Sequence, residues 1–249
     1  MVAKPKLRDA EVEAQELARS LDARFGHLEP EAIIAIAVGR FQDAGGIAAV
    51  SSFGADSAAL LHMVSRLDSE LPVLFLDTGQ HFGETLDYRN QLADDLALKN
   101  LRIIHPRQEN LAAKDPNDDL HKSNTDLCCE IRKVEPMARA VEPYAAWFTG
   151  RKRYQSETRA QMPVFEAVGP RIRINPLARW TTADQAAYMQ SHDLRQNPLV
   201  AFGYFSIGCF PCTEPVQSGE DERSGRWAGS AKTECGIHLP GLESLTSAA

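Results

Sequence analysis

Short apolar runs alternate with amphipathic stretches through the first half of the chain. The runs 47–52, 72–76 and 101–105 have the length and composition of buried strands. The residues between the first two runs have apolar positions at helical spacing, and so does the stretch 83–96. This order of strands and helices predicts an α/β fold, with a doubly wound and mainly parallel sheet and helices on both faces.

The flanking segments complete the predicted order of elements. Residues 106–126 are polar and are expected to form an active-site loop. The pattern further predicts N-terminal helices at 9–24 and after Pro30, and a helix at 127–141 that begins at the double cysteine. It also predicts a fourth strand at 145–149, a short strand at 171–175 and a last helix at 182–191.

The chain divides by composition into three segments. Residues 1–44 are expected to form a helical segment, and residues 45–216 an α/β domain. Residues 217–249 are rich in Gly, Ser and charges, so we expect a mobile tail there. No run approaches the length of a membrane span, and the N-terminus lacks the apolar core of a signal peptide. We therefore expect a cytoplasmic protein that does not bind a membrane.

The charge balance argues against a general nucleic-acid binder. The chain has 27 Lys and Arg residues against 34 Asp and Glu residues, a net charge of −7, whereas nucleic-acid binders are basic. An anionic ligand would therefore need a local concentration of Arg and Lys. In a reducing compartment, paired cysteines are better interpreted as metal ligands or redox groups than as disulfides.

The turn at 51–57 lies between a predicted strand and a predicted helix. Gly54 allows backbone N–H groups to approach an anion, and the helix N-terminus adds a favourable dipole. The alternative is a tight connection with Asp56 or Ser57 as the N-cap. The end of the second strand, at 77–79, is expected on the same edge of the sheet.

A basic run follows the fourth predicted strand. Arg151, Lys152, Arg153 and Arg159 lie within ten residues of one another, and guanidinium groups bind phosphate and sulfate oxygens. A solvated loop with surface ion pairs is the alternative. The expected position on the same sheet edge as the 51–57 turn favours anion binding. Arg223 and Arg226 of the tail are expected to add to this charge.

The five cysteines divide into four and one. Cys209 and Cys212 have a spacing typical of zinc or iron–sulfur ligands, or of a dithiol redox pair. Cys128 and Cys129, in the first turn of a helix, would lie about 100° apart and both face a cuboidal cluster. Lys133 on the next turn would add positive charge beside the sulfurs.

Cys235 is the thiol outside these pairs. It lies close to Lys232 and His238 in the predicted tail, and a thiol near such groups has a lowered pKa and acts as a nucleophile. The alternative is an exposed spare cysteine. His238 would activate the thiolate or merely face solvent.

Seven motifs together resemble the assimilatory adenylyl-sulfate reductases, the iron–sulfur branch of the PAPS reductase family. The 51–57 turn is similar to the phosphate loop of the adenine-nucleotide α-hydrolases, with Phe53 in place of their first Gly. The resemblance runs from about residue 45 to the C-terminus. Its motifs are SSFGADS at 51–57, LDTG at 76–79, CCEIRKVEP at 128–136, TGRKRYQS at 149–156, SIGCFPCT at 206–213, GRW at 225–227 and ECGIH at 234–238.

This resemblance implies a reaction and a set of site residues. Cys235 would attack the sulfur of adenosine 5′-phosphosulfate (APS), AMP would leave, and thioredoxin or a glutaredoxin-like donor would release sulfite. A [4Fe–4S] cluster on Cys128, Cys129, Cys209 and Cys212 would tune the site. The residues expected to bind substrate are Ser51, Ser52, Phe53, Gly54, Asp56, Ser57, Asp77, Thr78, Gly79, Lys133, Arg151, Arg153, Arg159, Arg223, Arg226 and His238.

Three other functions compete with this interpretation. The first is the same chemistry on 3′-phosphoadenylyl sulfate (PAPS). The second is an ATP-dependent thiolation enzyme, which would need an intact Gly-Gly loop and a basic surface. The third is a non-catalytic iron–sulfur sensor. We further expect a homo-oligomer.

Overall fold

The computed structural model describes residues 7–217, 219–228, 232 and 236–237. In this part of the chain, six strands form one sheet in the order β3-β2-β1-β4-β6-β5. The β5 strand is antiparallel to β6, and all other neighbours are parallel. The predicted doubly wound, mainly parallel α/β fold is therefore confirmed. The strands are β1 (Ile47–Val50), β2 (Val73–Leu76), β3 (Leu101–Ile104), β4 (Ala146–Thr149), β5 (Phe165–Val168) and β6 (Arg171–Ile174).

The helices include α-helices, one π-helix and several short 3₁₀ turns. The α-helices are α1 (Leu7–Phe25), α2 (Pro30–Phe41), α3 (Ser57–Leu67), α4 (Gly83–Asp95), α5 (Gln108–Lys114), α6 (Leu120–Ser123), α7 (Thr125–Cys129), α8 (Glu135–Val141) and α9 (Thr182–Ser191). The π-helix is Glu130–Val134, and the 3₁₀ turns are Arg153–Gln155, Glu157–Arg159, Pro198–Phe202 and Phe210–Cys212.

Alternate residues of each strand face opposite sides of the sheet, and each side is covered by helices. Ala49 and Phe75 pack into a core with residues of α1, α2, α3 and α4. Ala48, Leu74 and Trp147 point the other way and pack against Met137 and its neighbours in α8. The central strands are thus buried on both faces, which explains their continuous apolar sequences.

The N-terminal segment packs against the antiparallel edge of the sheet. Ala14, Ala18 and Leu21 of α1 are buried in the same core as the strands. The carboxylate of Asp22 accepts hydrogen bonds from the backbone N–H groups of Val164 and Phe165, at 2.7 and 3.0 Å. The α1 helix therefore holds the start of β5 by both apolar contact and hydrogen bonds.

Two local expectations were wrong, and one strand was missed. The β5 strand was not predicted at all. The segment 106–126 contains α5 and α6 instead of a single loop. The double cysteine lies at the end of α7, not at the start of a helix. The α7 helix begins at Thr125, earlier than predicted, because Asn124 caps it there by accepting a 3.1 Å hydrogen bond from the N–H of Leu127. A π-helix then separates the cysteines from α8.

Within the described ranges, no helix is both long enough and apolar enough to cross a lipid bilayer.

Candidate active site

A cleft opens where the carboxyl ends of β1 and β4 meet. These two strands are adjacent, while the chain leaves β1 towards β2 on its other side. Such a change of direction separates the connecting loops and creates a crevice, which is where doubly wound sheets bind ligands. Val50 and Thr149, paired across the two strands, both line the cleft.

Eleven of the expected substrate-binding residues line this cleft. Phe53, Asp77, Gly79 and Arg153 do not, and His238 lies outside the described residues, as does Cys235. Several other lining residues were not singled out as site residues, among them His81, Gln155, Phe205 and Trp227. The eleven are Ser51, Ser52, Gly54, Asp56, Ser57, Thr78, Lys133, Arg151, Arg159, Arg223 and Arg226.

The 51–57 turn presents its polar groups to the cleft and turns Phe53 away from it. Phe53 has a φ of +50° and is fully buried, with its ring edge-on to that of Phe75 at 5.6 Å. Its N–H donates to Ser51 Oγ at 3.1 Å, and its carbonyl accepts from Asn197 Nδ2 at 3.0 Å. The left-handed backbone at this position lets a large side chain occupy a place where the related loops have glycine.

Asp56 is paired with a buried lysine. Lys152 Nζ lies 3.0 Å from Asp56 Oδ2, and the lysine side chain has no exposed surface. Burial lowers the pKa of Lys152, but the adjacent Asp56 carboxylate opposes that shift. Because the ion pair offsets the negative charge of Asp56, an anion can approach the loop without facing an uncompensated carboxylate.

Two of the arginines after β4 are held in place from behind the cleft. Arg151 donates to Asn175 Oδ1 at 3.0 Å and pairs with Glu166 of β5. Arg159 Nη1 donates to Gln155 Oε1 at 2.7 Å. Arg153, in contrast, donates to the carbonyl of Met162 at 2.9 Å and does not line the cleft. Fixed guanidinium groups lose little entropy when an anion binds.

Residues 219–228 contribute a further wall. Arg226 forms a β-bridge with Thr213, and the N–H of Trp227 donates to the carbonyl of Cys212 at 3.1 Å. Arg226 also lies 4.4 Å above the Trp227 ring. These contacts place Arg223 and Arg226 in the cleft, beside the cysteine-bearing segment that follows residue 208.

The two cysteine pairs are close together. Cys129 and Cys212 contact one apolar cluster with Trp227. Burial, and to a lesser extent Cys129, Cys209 and Cys212, raise the pKa of Cys128 to about 12, and Arg132 opposes this shift. All four are free thiols. Four thiols, three of them buried, that repel one another as thiolates need a cationic centre to be deprotonated together, and a cysteine-only donor set of this kind fits iron–sulfur ligation.

Two further observations concern the metal and the nearby loop. Among the described side chains, no three His, Cys, Asp or Glu residues converge tightly enough to hold a single metal ion. Thr78 Oγ1 lies 3.2 Å from Cys209 Sγ, and His81 forms a β-bridge with Cys209. The loop after β2 is therefore in direct contact with the second cysteine pair.

Asp77 and Gly79 shape this loop without lining the cleft. Asp77 Oδ1 accepts a 3.0 Å hydrogen bond from the N–H of Gly79, which has a φ of +73°. This side-chain-to-backbone turn directs Thr78 towards Cys209. His81, for which the sequence made no prediction, lies two residues after this turn and also lines the cleft.

The described residues nearest to Cys235 in the chain lie beside the cleft. Ile237, two residues after Cys235, lines it and contacts both the Cys129–Trp227 cluster and the apolar core beside α8. On the other side, Lys232 pairs with Asp126 of α7 and lies 5.9 Å above the Trp227 ring. Lys232 and Ile237, which lie on either side of Cys235 in the chain, are therefore both adjacent to the part of the cleft formed by the cysteine pairs.

Comparisons with known proteins agree with this geometry. The family model described as a phosphoadenosine phosphosulfate reductase domain matches residues 46–215. The chain is 76% identical over 249 residues to the adenosine 5′-phosphosulfate reductase of Chelativorans sp. (strain BNC1), with 100% of both chains covered. It is 63% identical to the adenosine 5′-phosphosulfate reductase of Mesorhizobium japonicum, with 100% of this chain and 99% of that one covered.

A solved structure is similar along most of its length. The crystal structure of phosphoadenylyl-sulfate reductase from Candida auris, a phosphate complex, aligns with a TM-score of 0.68 and 31% sequence identity. The alignment covers 79% of this chain and 95% of that chain.

Proposed function

The chain belongs to the phosphoadenosine phosphosulfate reductase family, and from this we propose that it reduces adenosine 5′-phosphosulfate to sulfite and AMP in sulfate assimilation. The relatives from Chelativorans and Mesorhizobium carry the name of this activity, and they match the chain over its full length. The observation that carries the proposal is the positive charge of the cleft. In a chain of net charge −7, a lysine and four arginines from three separate segments line one crevice.

The phosphosulfate is proposed to bind across the ends of β1 and β4. Ser51, Ser52 and Gly54 of the turn would supply hydrogen-bond donors to its oxygens, as the N-terminus of α3 would. Arg151 and Arg159 would neutralise one side of the anion, and Arg223, Arg226 and Lys133 the other. These groups also stabilise the charge that develops on the phosphate when AMP leaves.

Cys235 is proposed to be the nucleophile. Its thiolate attacks the sulfur of APS, so an S–S bond forms while the bond from that sulfur to the phosphate oxygen breaks. AMP leaves with the electron pair of the broken bond, and an S-sulfocysteine remains. The position of Ile237 in the cleft supports this role, because Cys235 is two residues away from it in the chain.

A thioredoxin-type dithiol is proposed to complete the reaction. One thiolate of the reductant attacks Cys235 and displaces sulfite, and its second thiol then resolves the mixed disulfide. Cys235 returns to a thiol and the reductant becomes a disulfide. The side chains of Phe202 and Phe210, 70% and 63% exposed, lie near the cleft and support a protein contact there, with the reductant or with a second copy in a homo-oligomer.

Cys128, Cys129, Cys209 and Cys212 are proposed to hold a [4Fe–4S] cluster. When bound, the cluster would supply charge and polarisation to the cysteine side of the cleft. Lys133 lines the cleft four residues after Cys129, and it opposes the rise in the pKa of Cys212 that burial and Cys209 cause. This lysine is therefore proposed to contact both the cysteines and the substrate. Free cysteine thiols are consistent with a cytoplasmic location.

The second candidate substrate is PAPS. The Candida auris protein of similar structure is named for it, and it matches most of this chain. The two substrates share the phosphosulfate and differ by a 3′-phosphate, so the cleft features described above suit both. The identity of the relatives that match the full length favours APS.

The experiment that tests this function measures sulfite release by anaerobically purified protein with reduced thioredoxin. We expect release from APS, at least about tenfold slower release from PAPS at equal concentration, and none by a Cys235→Ser variant that still binds nucleotide. Sulfite release by Cys235→Ser at the wild-type rate, or no release from either substrate by iron-loaded wild type, would contradict the proposal.

A further inference from the structure

Arg132 joins three segments on the cysteine side of the cleft. Its Nη1 donates to the carbonyl of Thr78 at 2.9 Å, and its Nη2 donates to Asp115 Oδ2 at 2.7 Å and to Asp118 Oδ1 at 2.5 Å. The π-helix that carries Arg132 is thus fixed to the loop after β2 and to the segment between α5 and α6. We call these four residues the Arg132 network.

The two carboxylates of the network differ in burial. The side chain of Asp115 is 1% exposed and that of Arg132 is 7% exposed, whereas that of Asp118 is 62% exposed. Asp115 Oδ1 also accepts the backbone N–H groups of Asp119 and Leu120, at 2.9 and 3.0 Å. A buried charge pair with all its oxygens bonded holds a fixed geometry, while an exposed pair contributes little.

The Thr78 side of the network reaches the second cysteine pair. Thr78 Oγ1 lies 3.2 Å from Cys209 Sγ and accepts the N–H of Gln80 at 3.2 Å. The carbonyl of Gln80 in turn accepts the N–H of Phe210 at 2.7 Å. The position of Thr78, which lines the cleft, therefore depends on Arg132 through its carbonyl and on Cys209 through its hydroxyl.

Arg132 of the network is next to Lys133 in the chain and affects the direction of its side chain. Arg132 and Lys133 are consecutive residues of the π-helix, and only Lys133 lines the cleft. A π turn inserts an extra residue in a helix and changes the direction of the side chains that follow. Because Asp115 holds Arg132, the π-helix cannot easily rotate about its own axis. Lys133 is thereby kept directed towards the cleft.

We propose that Arg132 and Asp115 are positioning residues that hold Thr78 and Lys133 in place for the sulfonate end of the substrate. The assignment of that end rests on the proposed function, but the positional effect does not require turnover. ADP carries a phosphate where APS carries its sulfonate, and AMP lacks that group. The difference between ADP and AMP binding therefore reports on the sulfonate end of the cleft separately from the rest of the site.

The test compares the dissociation constants of ADP and AMP by calorimetry in the wild type, Asp115→Asn, Arg132→Lys and Asp118→Asn. For Asp115→Asn and Arg132→Lys, we expect the ADP dissociation constant to rise about tenfold and that of AMP by no more than about twofold. The asparagine removes the charge that holds Arg132, and a lysine lacks the planar fork whose two nitrogens reach Thr78 and Asp115 separately. Asp118→Asn is the matched control, with both constants within about twofold of the wild type.

Three results would overturn the inference. The first is a dissociation constant for ADP that changes no more in Asp115→Asn or Arg132→Lys than it does in Asp118→Asn, while only the melting temperature of the variant falls. The second is an equal loss of ADP and AMP binding, and the third is a wild type that binds neither nucleotide. Absence of sulfite release by a wild type that still gives the expected nucleotide pattern would instead contradict the proposed function alone.

Discussion

Gly208 provides the space in which the side chain of Arg226 reaches the cleft. A Cβ at residue 208 would lie 2.5 Å from the Cζ of Arg226, which is too close for both to stay in place. Since the guanidinium is the end of a flexible side chain, it is the group that would move. Glycine is thus required here by a neighbour that is proposed to bind substrate, and not by the backbone conformation of the residue itself.

A Gly208→Ala substitution should weaken substrate binding without unfolding the protein. Loss of one hydrogen bond to a charged group costs about 2 kcal/mol, so we expect the KM for APS to rise about thirtyfold. Gly39→Ala is the control, because a Cβ there meets no atom within 4 Å. An unchanged KM in Gly208→Ala, measured by sulfite release, would show that Arg226 does not contact the substrate.

The pair of Asp115 and Arg132 should also make stability depend on pH. Burial alone would raise the pKa of Asp115, but the Arg132 guanidinium and two backbone N–H groups outweigh it and lower the pKa below 3.8. A carboxylate whose pKa is lower in the folded state stabilises the fold above its unfolded pKa. That stabilisation is lost as the pH falls through the folded pKa.

Asp115→Asn should therefore reduce the free energy of unfolding by about 3 kcal/mol at pH 7, the cost of breaking a buried ion pair. The difference from the wild type should shrink as the pH falls below about 4. Denaturant unfolding at pH 7, 5 and 3.5 measures it. A difference that stays constant over this range would contradict the assigned ionisation of Asp115.

Phe53 illustrates what the sequence could not predict at this scale. The motif around it correctly predicted a loop at the cleft, yet the phenyl ring lies in the core against Phe75. Its inward direction depends on a positive φ and on a hydrogen bond to Asn197, a residue 144 positions away. Contacts at such separation leave no local pattern in the chain.

At the scale of elements, the link between α1 and β5 is the part of the fold that the sequence pattern missed. The β5 strand has four residues, two of them only partly buried, so its sequence lacks a strong strand signal. Its position is fixed by β6 on one side and by Asp22 of α1 on the other. The strands with continuous apolar runs were, in contrast, predicted within about two residues of their observed bounds.

An Asp22→Ala substitution should test this link. Two backbone N–H groups lose a charged acceptor, so we expect the free energy of unfolding to fall by about 2 kcal/mol in a urea titration. Glu16→Ala, at an exposed position of the same helix, should change it by less than about 0.5 kcal/mol. Equal stability of the two variants would indicate that α1 does not hold β5.

The helix that carries Cys128 and Cys129 was predicted as one element, whereas the structure has three consecutive helical elements there. A capped α-helix ends at Cys129, a π-helix follows, and α8 begins at Glu135. The sequence 127–141 has continuous helical character, so the change of hydrogen-bonding pattern is not visible in it. The π-helix depends on the buried contacts of Arg132, which come from distant loops.

At the scale of the whole molecule, much of the cleft could be predicted from chain order. The carboxyl ends of parallel strands lie on one edge of a sheet, so motifs that follow β1, β2 and β4 had to meet there. The contribution of residues 219–228 followed from no such rule, because their β-bridge and hydrogen bonds to 212–214 are irregular loop contacts. The two cysteine pairs lie close together, and their joint binding of one cluster stays a prediction.

The central claim is that this cleft transfers a sulfonate from its nucleotide to Cys235. The most direct test is intact-protein mass spectrometry after iron-loaded protein is mixed with APS in the absence of any thiol reductant. We predict a mass increase of one SO₃ group per chain, located on the peptide of Cys235, absent from Cys235→Ser and removed by reduced thioredoxin. Wild-type protein that shows no adduct, or an adduct on another cysteine, yet releases sulfite when thioredoxin is added would contradict the account.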